Sequence, residues 1–87
     1  MIKLYIVQDC DNCNKAKGYF KSKEIEYEEV DMSIGGIKKT IEAKKRFKAL
    51  GLKTYPIIII NTEKDGELIF PEFDKDSLNN ILEKLNE

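Results

Sequence analysis

The sequence predicts one α/β domain over residues 1–87, with the element order β-α-β-α-β-β-α. Three observations support this class. An apolar run at residues 2–7 ends just before a helical pattern, four consecutive isoleucines at 57–60 are typical of a buried strand, and a clean apolar stripe marks the last helix. The second half begins with a strand and a hairpin, so we expect a mixed sheet and not a wholly parallel one.

The first three elements follow from apolar spacing. Residues 2–7 are apolar nearly throughout, which predicts a central strand covered on both faces. Residues 11–23 have the pattern of a helix whose buried face contains Cys13, Ala16 and Phe20. Residues 25–30 predict a second strand near an edge of the sheet, with Ile25 and Tyr27 on one face and glutamates on the other.

Residues 33–50 contain two apolar stripes that one helix cannot bury together. The stripes are Ile34, Ile37 and Ile41, and, on nearly the opposite side, Thr40, Ala43, Phe47 and Leu50. We expect an irregular first turn around residues 35–36 and then a helix that buries the second stripe. Gly51 is the predicted C-terminal cap, with Leu52 folding back onto the helix.

The last three elements are clearer. Pro56 stands at the entrance of the isoleucine strand, where a missing N–H is tolerated. Asp65 and Gly66 predict a turn, and residues 67–70 predict the returning strand of a hairpin. A last helix is predicted from about residue 74 to residue 85. Its apolar stripe consists of Leu78, Ile81, Leu82 and Leu85.

Charge and length exclude several classes of function. The chain has 15 basic and 16 acidic side chains, a net charge of −1, which predicts no nucleic-acid or membrane partner. No apolar stretch is as long as a membrane span, and the N-terminus lacks the order of a signal peptide. We therefore expect the protein in the cytoplasm. We also expect it to be a monomer.

Cys10 and Cys13, the only cysteines, lie where the first strand meets the first helix. Residues three apart in a helical turn share a face, so the two sulfurs can bond to each other. The unpaired amides and the dipole at a helix start favour a thiolate there. Cys10 is thus the predicted nucleophile, and Cys13 the residue that resolves its mixed disulfide.

Other interpretations of this pair stay open. A closed zinc site needs four ligands, and the chain has no histidine and no third cysteine, so zinc or a cluster would have to bridge a dimer. A structural disulfide over so short a loop would constrain the unfolded chain little. Two unrelated core cysteines are the third alternative. The βαβ setting favours redox chemistry.

Three motifs together resemble the glutaredoxin family of the thioredoxin fold: the C-x-x-C pair, the run Thr54-Tyr55-Pro56, and Phe73-Asp74 before the last helix. The resemblance covers essentially the whole chain. It implies a four-stranded mixed sheet in the order 2-1-3-4 with three helices on two faces. It also implies that Cys10 is the nucleophile and that Pro56 is cis beside the disulfide.

The resemblance also implies substrate-binding residues. Tyr55 and Pro56 would position an extended substrate, with the Tyr55 backbone pairing to it as an added strand would. A glutathione site would use Lys53 for the glycyl carboxylate, Tyr55, and Phe73 with Asp74 for the γ-glutamyl end. Each has a simpler alternative: Asp74 as a helix N-cap, Phe73 as a core residue and Lys53 as a solvated charge.

Two departures from the family pattern affect the choice of substrate. Asp9 and Asp11 flank the nucleophile, where many glutaredoxins have a lysine before the motif and Pro-Tyr inside it. Their like charge predicts a higher pKa for Cys10 and a more reducing disulfide. Pro71 and Glu72 occupy the usual Gly-Gly positions, and Glu72 would repel a glutathione carboxylate.

The resulting functional prediction is a thiol-disulfide oxidoreductase of cell redox homeostasis and electron transport, which reduces protein or glutathione mixed disulfides through Cys10 and Cys13. We expect no bound metal or organic cofactor. Glutathione or a flavoprotein of the thioredoxin-reductase type would be the reductant. The alternatives are a non-catalytic binding module of the same fold and a metal or cluster site bridged by a dimer.

Overall fold

The computed structural model describes residues 1–85, with Leu85 described by its backbone alone. Residues 86 and 87 of the predicted domain, and the Leu85 side chain of the predicted stripe, lie outside this part. Within it the chain forms four strands and three helices in the predicted order. They are β1 (Ile2–Ile6), α1 (Asp11–Ser22), β2 (Glu28–Asp31), α2 (Lys38–Ala49), β3 (Ile57–Thr62), β4 (Gly66–Phe70) and α3 (Lys75–Leu85).

The strands form one mixed sheet in the order β2-β1-β3-β4, which confirms the predicted order. Strand β1 is parallel to β2 and antiparallel to β3, and β3 is antiparallel to β4. Ile6 pairs with Asp31, and Tyr5 pairs with Ile57. The end of β1, the end of β2 and the start of β3 therefore lie at the same end of the sheet. We call this row of strand ends the upper edge.

The isoleucines of β3 alternate between two hydrophobic cores. Ile58 and Ile60 join a first core on the face covered by α1 and α3, where Phe20 and Leu78 are fully buried. The members of the second core, on the face covered by α2, are Tyr5, Val30, Met32, Ala43, Phe47, Ile57 and Ile59. Helices thus cover both faces, as the sequence predicted, and β3 is buried from both sides.

Helix α2 buries the second of its two predicted stripes. Thr40, Ala43 and Phe47 are buried. At its end Gly51 adopts a φ of +75°, and the Leu52 N–H donates to the Phe47 carbonyl over 2.9 Å. This is the predicted glycine cap with its folded-back leucine, and it satisfies a carbonyl that the helix leaves free.

Two predictions for these elements are wrong. Strand β2 begins at Glu28 and not at residue 25, because the Ile25 N–H donates to the Phe20 carbonyl and so continues the end of α1. Ile25 still packs against the first core, which explains its apolar character. Leu50 was expected on the buried stripe but is 52% exposed, since it follows the last turn of α2.

None of the helices within residues 1–85 is both long and apolar enough to cross a membrane.

Candidate active site

Cys10 is the N-cap of α1. Its backbone is extended, with φ −121° and ψ 108°, and its Sγ accepts a hydrogen bond of 3.1 Å from the Cys13 N–H. The Cys10 carbonyl accepts the first helical hydrogen bond, from Asn14. A sulfur at this position faces the amide groups and the positive end of the helix dipole, and both stabilise a thiolate.

Cys10 and Cys13 form a disulfide, with their Cα atoms 5.2 Å apart. Cys13 lies on the buried face of α1 with 1% of its surface exposed, whereas Cys10 is only partly buried at the helix start. The two sulfurs are therefore not equivalent, because an external thiol or disulfide approaches from the Cys10 side.

The peptide bond between Tyr55 and Pro56 is cis, as the family resemblance implied. Pro56 is buried, and the Tyr55 carbonyl oxygen lies 3.8 Å from the Cys10 Sγ. Among residues 1–85 no protein acceptor pairs with the Tyr55 N–H. The Tyr55 ring packs near Phe47 at 6.5 Å, and burial raises the pKa of its phenol, so the ring stays neutral at physiological pH.

The loop before the cysteines is held by a contact that the sequence analysis missed. The Gln8 N–H donates to the Ser33 Oγ over 2.9 Å, and the Ser33 N–H donates to the Asp31 Oδ1 over 2.8 Å. The parallel pairing of β1 with β2 brings these loops together. The predicted βαβ order was the one available signal, since the ends of parallel strands share a sheet edge.

Acidic residues flank Cys10 in the sequence. Asp9 and Asp11 are both exposed on either side of Cys10, and Asp9 adopts a φ of +55°. Their charges oppose the effect of the helix start on a Cys10 thiolate. Glu72 is exposed in the segment before α3.

Two of the predicted glutathione-binding residues, Asp74 and Phe73, make contacts within the fold. Asp74 caps α3: its Oδ1 accepts from the N–H groups of Asp76 and Ser77 at 3.1 and 3.4 Å, and its Oδ2 accepts from the Ser77 hydroxyl at 3.0 Å. Phe73 packs against Tyr19, with ring centroids 5.9 Å apart. Lys53 is exposed. Of the four, Tyr55 has its carbonyl oxygen 3.8 Å from the Cys10 Sγ.

The described residues contain no group of three or more histidine, cysteine, aspartate or glutamate side chains placed to hold a metal ion. The arrangement instead brings together one accessible sulfur, one buried sulfur and an open backbone segment at Tyr55. Such a set can accept or release two electrons as a dithiol or a disulfide.

Comparison with known proteins agrees with this arrangement. A sequence model of the family described as glutaredoxin matches residues 2–64. The fold is similar to that of NrdH-redoxin from Escherichia coli, with a TM-score of 0.71 and 21% identity over 92% of each chain. It is also similar to a glutaredoxin from Archaeoglobus fulgidus, with a TM-score of 0.67 and 12% identity over 93% of this chain and 84% of that one.

A third similar structure is that of a thioredoxin-like protein, with a TM-score of 0.68 and 27% identity over 93% of this chain and 99% of that one. No curated protein sequence matches the chain significantly. The structural similarities confirm the thioredoxin fold that the sequence resemblance implied.

Proposed function

This chain belongs to the glutaredoxin family, and on that basis we propose that it is a thiol-disulfide oxidoreductase acting through Cys10 and Cys13. The observation that carries the proposal is the asymmetry of the disulfide. Cys10 is reachable at the start of α1 and accepts the Cys13 N–H, while Cys13 is buried behind it. A structural disulfide would not need one sulfur at the surface and at a helix start.

The reaction transfers two electrons. In the dithiol form the Cys10 thiolate attacks one sulfur of a substrate disulfide, forms a mixed disulfide and releases the other half as a thiolate. Cys13, as thiolate, then attacks the Cys10 Sγ, restores the internal disulfide and releases the second substrate thiol. The two thiols of the protein are oxidised, and the substrate disulfide is reduced to two thiols.

The Tyr55 backbone supports an extended substrate beside Cys10. Its N–H has no protein acceptor among residues 1–85, and its carbonyl lies next to the Cys10 sulfur. A substrate chain that passes this edge can pair with both groups as an added strand would. Pro56 fixes the position of this segment at the entrance of β3.

We propose that a flavoprotein reductase of the thioredoxin-reductase type regenerates the dithiol in preference to glutathione. Glutathione carries two carboxylates, and the exposed Asp9, Asp11 and Glu72 repel them. NrdH-redoxin from Escherichia coli is described as a glutaredoxin-like protein with a thioredoxin-like activity profile.

The test is a comparison of two reducing systems with one disulfide substrate, bis(2-hydroxyethyl) disulfide. One system supplies NADPH, glutathione reductase and glutathione, and the other supplies NADPH and thioredoxin reductase. We expect the protein to reduce the disulfide substrate with both systems. Its kcat/KM for that substrate should be higher in the system with thioredoxin reductase. Cys10→Ser should abolish turnover in both systems. Full activity of Cys10→Ser, or metal bound at the cysteines of the purified protein, would contradict an oxidoreductase; faster turnover with glutathione would contradict the preferred reductant.

A further inference from the structure

Most of the exposed large apolar side chains within residues 1–84 lie in one segment of the chain. Apart from Met1, every large hydrophobic residue that is exposed within residues 1–84 lies between residues 34 and 50. Ile34 is 48% exposed and Ile41 is 45% exposed. Ile41 lies on α2 and Ile34 in the segment before it; both belong to the first stripe predicted for residues 33–50, which the fold leaves unburied. Isoleucines in such positions suggest a surface that another molecule covers.

Two ion pairs show how α2 lies on the sheet. Lys39 pairs with Glu28 of β2, and Arg46 pairs with Glu67 of β4. Glu28 and Glu67 stand near the lower edge of the sheet, opposite to the edge that carries Cys10, because they face Lys3 and Asn61 in the strand registers. The side of α2 that contains Lys39 and Arg46 therefore points away from Cys10.

The opposite side of α2 points toward the upper edge. Ile41, Lys44 and Lys48 follow one another at spacings of three and four, so they share a helix side about half a turn from Lys39 and Arg46. All three are exposed. Together with Ile34 they form a surface that we call the α2 flank.

Local contacts join the α2 flank to the disulfide. Ile34 directly follows Ser33, whose hydroxyl accepts the Gln8 N–H two residues before Cys10. On the other side, Phe47 of α2 packs near the Tyr55 ring, and the Tyr55 carbonyl lies 3.8 Å from the Cys10 sulfur. Ser33 and Phe47, which adjoin the α2 flank in the chain, are therefore linked by contacts to the segments that carry Cys10 and Tyr55.

The charges of the chain are also distributed unevenly, with an excess of basic side chains in the segment that contains α2. Residues 32–62 contain seven basic and one acidic side chain, a net charge of +6, and the other residues contain eight basic and fifteen acidic, a net charge of −7. Lys44 and Lys48 have no ion pair among residues 1–85. The redox site therefore has acidic Asp9 and Asp11 around the sulfur and a basic, apolar flank beside it.

We propose that the α2 flank is the docking surface for the protein partner of the disulfide, and that this partner presents apolar side chains among aspartates or glutamates next to its reactive cysteine. The proposal rests on the proposed function and names the partner of that same site. The isoleucines provide the apolar contact, and the lysines select the charge of the partner and its orientation relative to Cys10.

Two other occupants fit the surface less well. Apart from Met1, a second copy of this chain offers no exposed large apolar side chain in an acidic region within residues 1–84, because the others lie in the basic part itself. An anionic membrane would meet the lysines of the flank, but it presents no disulfide to Cys10 at the same edge. Dimerisation and binding to an anionic membrane are both measured in the test.

The test uses two synthetic peptides that carry one cysteine as a mixed disulfide with thionitrobenzoate, followed by leucines interspersed with glutamates in one peptide and with lysines in the other. N-acetylcysteinamide with the same leaving group is the small reference substrate. The reduced protein is mixed with each, and the absorbance of released thionitrobenzoate gives a second-order rate constant. We expect the glutamate peptide to react about tenfold faster than the lysine peptide at low ionic strength, with the ratio falling as salt is added.

Matched variants separate docking from chemistry. Lys44→Glu with Lys48→Glu should remove or invert the ratio, and Ile41→Ser should slow the glutamate peptide several-fold, while the small reference reacts at an unchanged rate. Lys21→Glu with Lys64→Glu makes the same change in net charge at exposed positions away from the flank and should preserve the ratio. An unchanged ratio in the flank variants, or the same change in the control, would overturn the proposal.

Binding measured without chemistry distinguishes the two proposals. A fluorescent glutamate peptide with serine in place of cysteine should bind the wild type and bind the flank variants more weakly, as measured by anisotropy. This result stands even if no disulfide is reduced, in which case the oxidoreductase proposal alone fails. Dimerisation that the flank variants abolish, or binding to phosphatidylserine vesicles that they abolish, would overturn the assignment of a protein partner.

Discussion

The sulfur of Cys10 lies 3.8 Å from the carbonyl oxygen of Tyr55, on the side of the disulfide that an external molecule reaches. In the reduced protein a Cys10 thiol can donate to this carbonyl, which favours the protonated form. The Cys13 N–H, 3.1 Å from the same sulfur, favours the thiolate. Opposing local groups therefore act on the protonation of Cys10, and the charges of the neighbouring Asp9 and Asp11 act on it as well.

The first prediction concerns those charges. Replacing Asp9 and Asp11 with asparagine should lower the pKa of Cys10, because two negative charges near the thiolate are removed. The measurement is a pH titration of thiolate absorbance in a Cys13→Ser background, where Cys10 is the sole thiol. Asp65→Asn, in the turn between β3 and β4, is the control that should leave the titration unchanged. A wild-type Cys10 pKa far below neutrality would contradict the role given to the aspartates.

A second prediction separates two roles of Asp74. Its carboxylate accepts three hydrogen bonds in the first turn of α3, so Asp74→Ala should lower the free energy of unfolding by about 1 kcal/mol. Asp74→Asn preserves a cap and should stay close to wild type in stability. We expect the asparagine variant to have a nearly unchanged KM for glutathione. A large rise in that KM at unchanged stability would instead identify Asp74 as a glutathione ligand.

The third prediction uses a matched pair of glycines. Gly51 has a φ of +75° at the cap of α2, so Gly51→Ala should destabilise the protein by about 1 kcal/mol. Gly35 has open space at the position of a Cβ and no positive φ, so Gly35→Ala should be neutral or slightly stabilising. Urea unfolding of both variants measures the difference. Equal stabilities would show that the left-handed cap is not required.

A fourth prediction compares two isoleucines. Ile59 is almost fully buried in the second core, and Ile59→Ala should cost about 2–5 kcal/mol because it removes buried methyl groups and leaves a cavity. Ile41 is 45% exposed, and Ile41→Ala should change the free energy of unfolding by less than about 0.5 kcal/mol. Thermal or denaturant unfolding tests this. A large cost at Ile41 would mean that this side chain supports the fold itself.

The elements with strong local signals were predictable from the sequence. The continuous run of four isoleucines in β3 is buried on both faces, and Cys13, Ala16 and Phe20 form the buried face of α1 at helical spacing, as the sequence pattern predicted. The Gly51 cap was predictable for a similar reason, since a glycine that directly follows a helical pattern is suited to the left-handed conformation.

The errors arose where tertiary contacts decide between local patterns. Ile25 has the alternation of a strand residue, yet its amide closes the end of α1. Leu50 fits the buried stripe of α2 by spacing, but the helix ends just before it. The hydrogen bond between Gln8 and Ser33 joins residues 25 positions apart, and neither local segment has a sequence pattern that predicts it.

Strand β3 has a further consequence for how the molecule opens. Its isoleucines are divided between the two cores, so neither face of the sheet can lose its packing without exposing part of the same strand. Amide hydrogens of β3 should therefore exchange with solvent only through the rarest and largest opening, later than those at the edge strand β2. Pro56 and the Tyr55 backbone are attached directly to this slowest-exchanging segment. Smaller fluctuations elsewhere in the chain thus leave the backbone beside Cys10 in place.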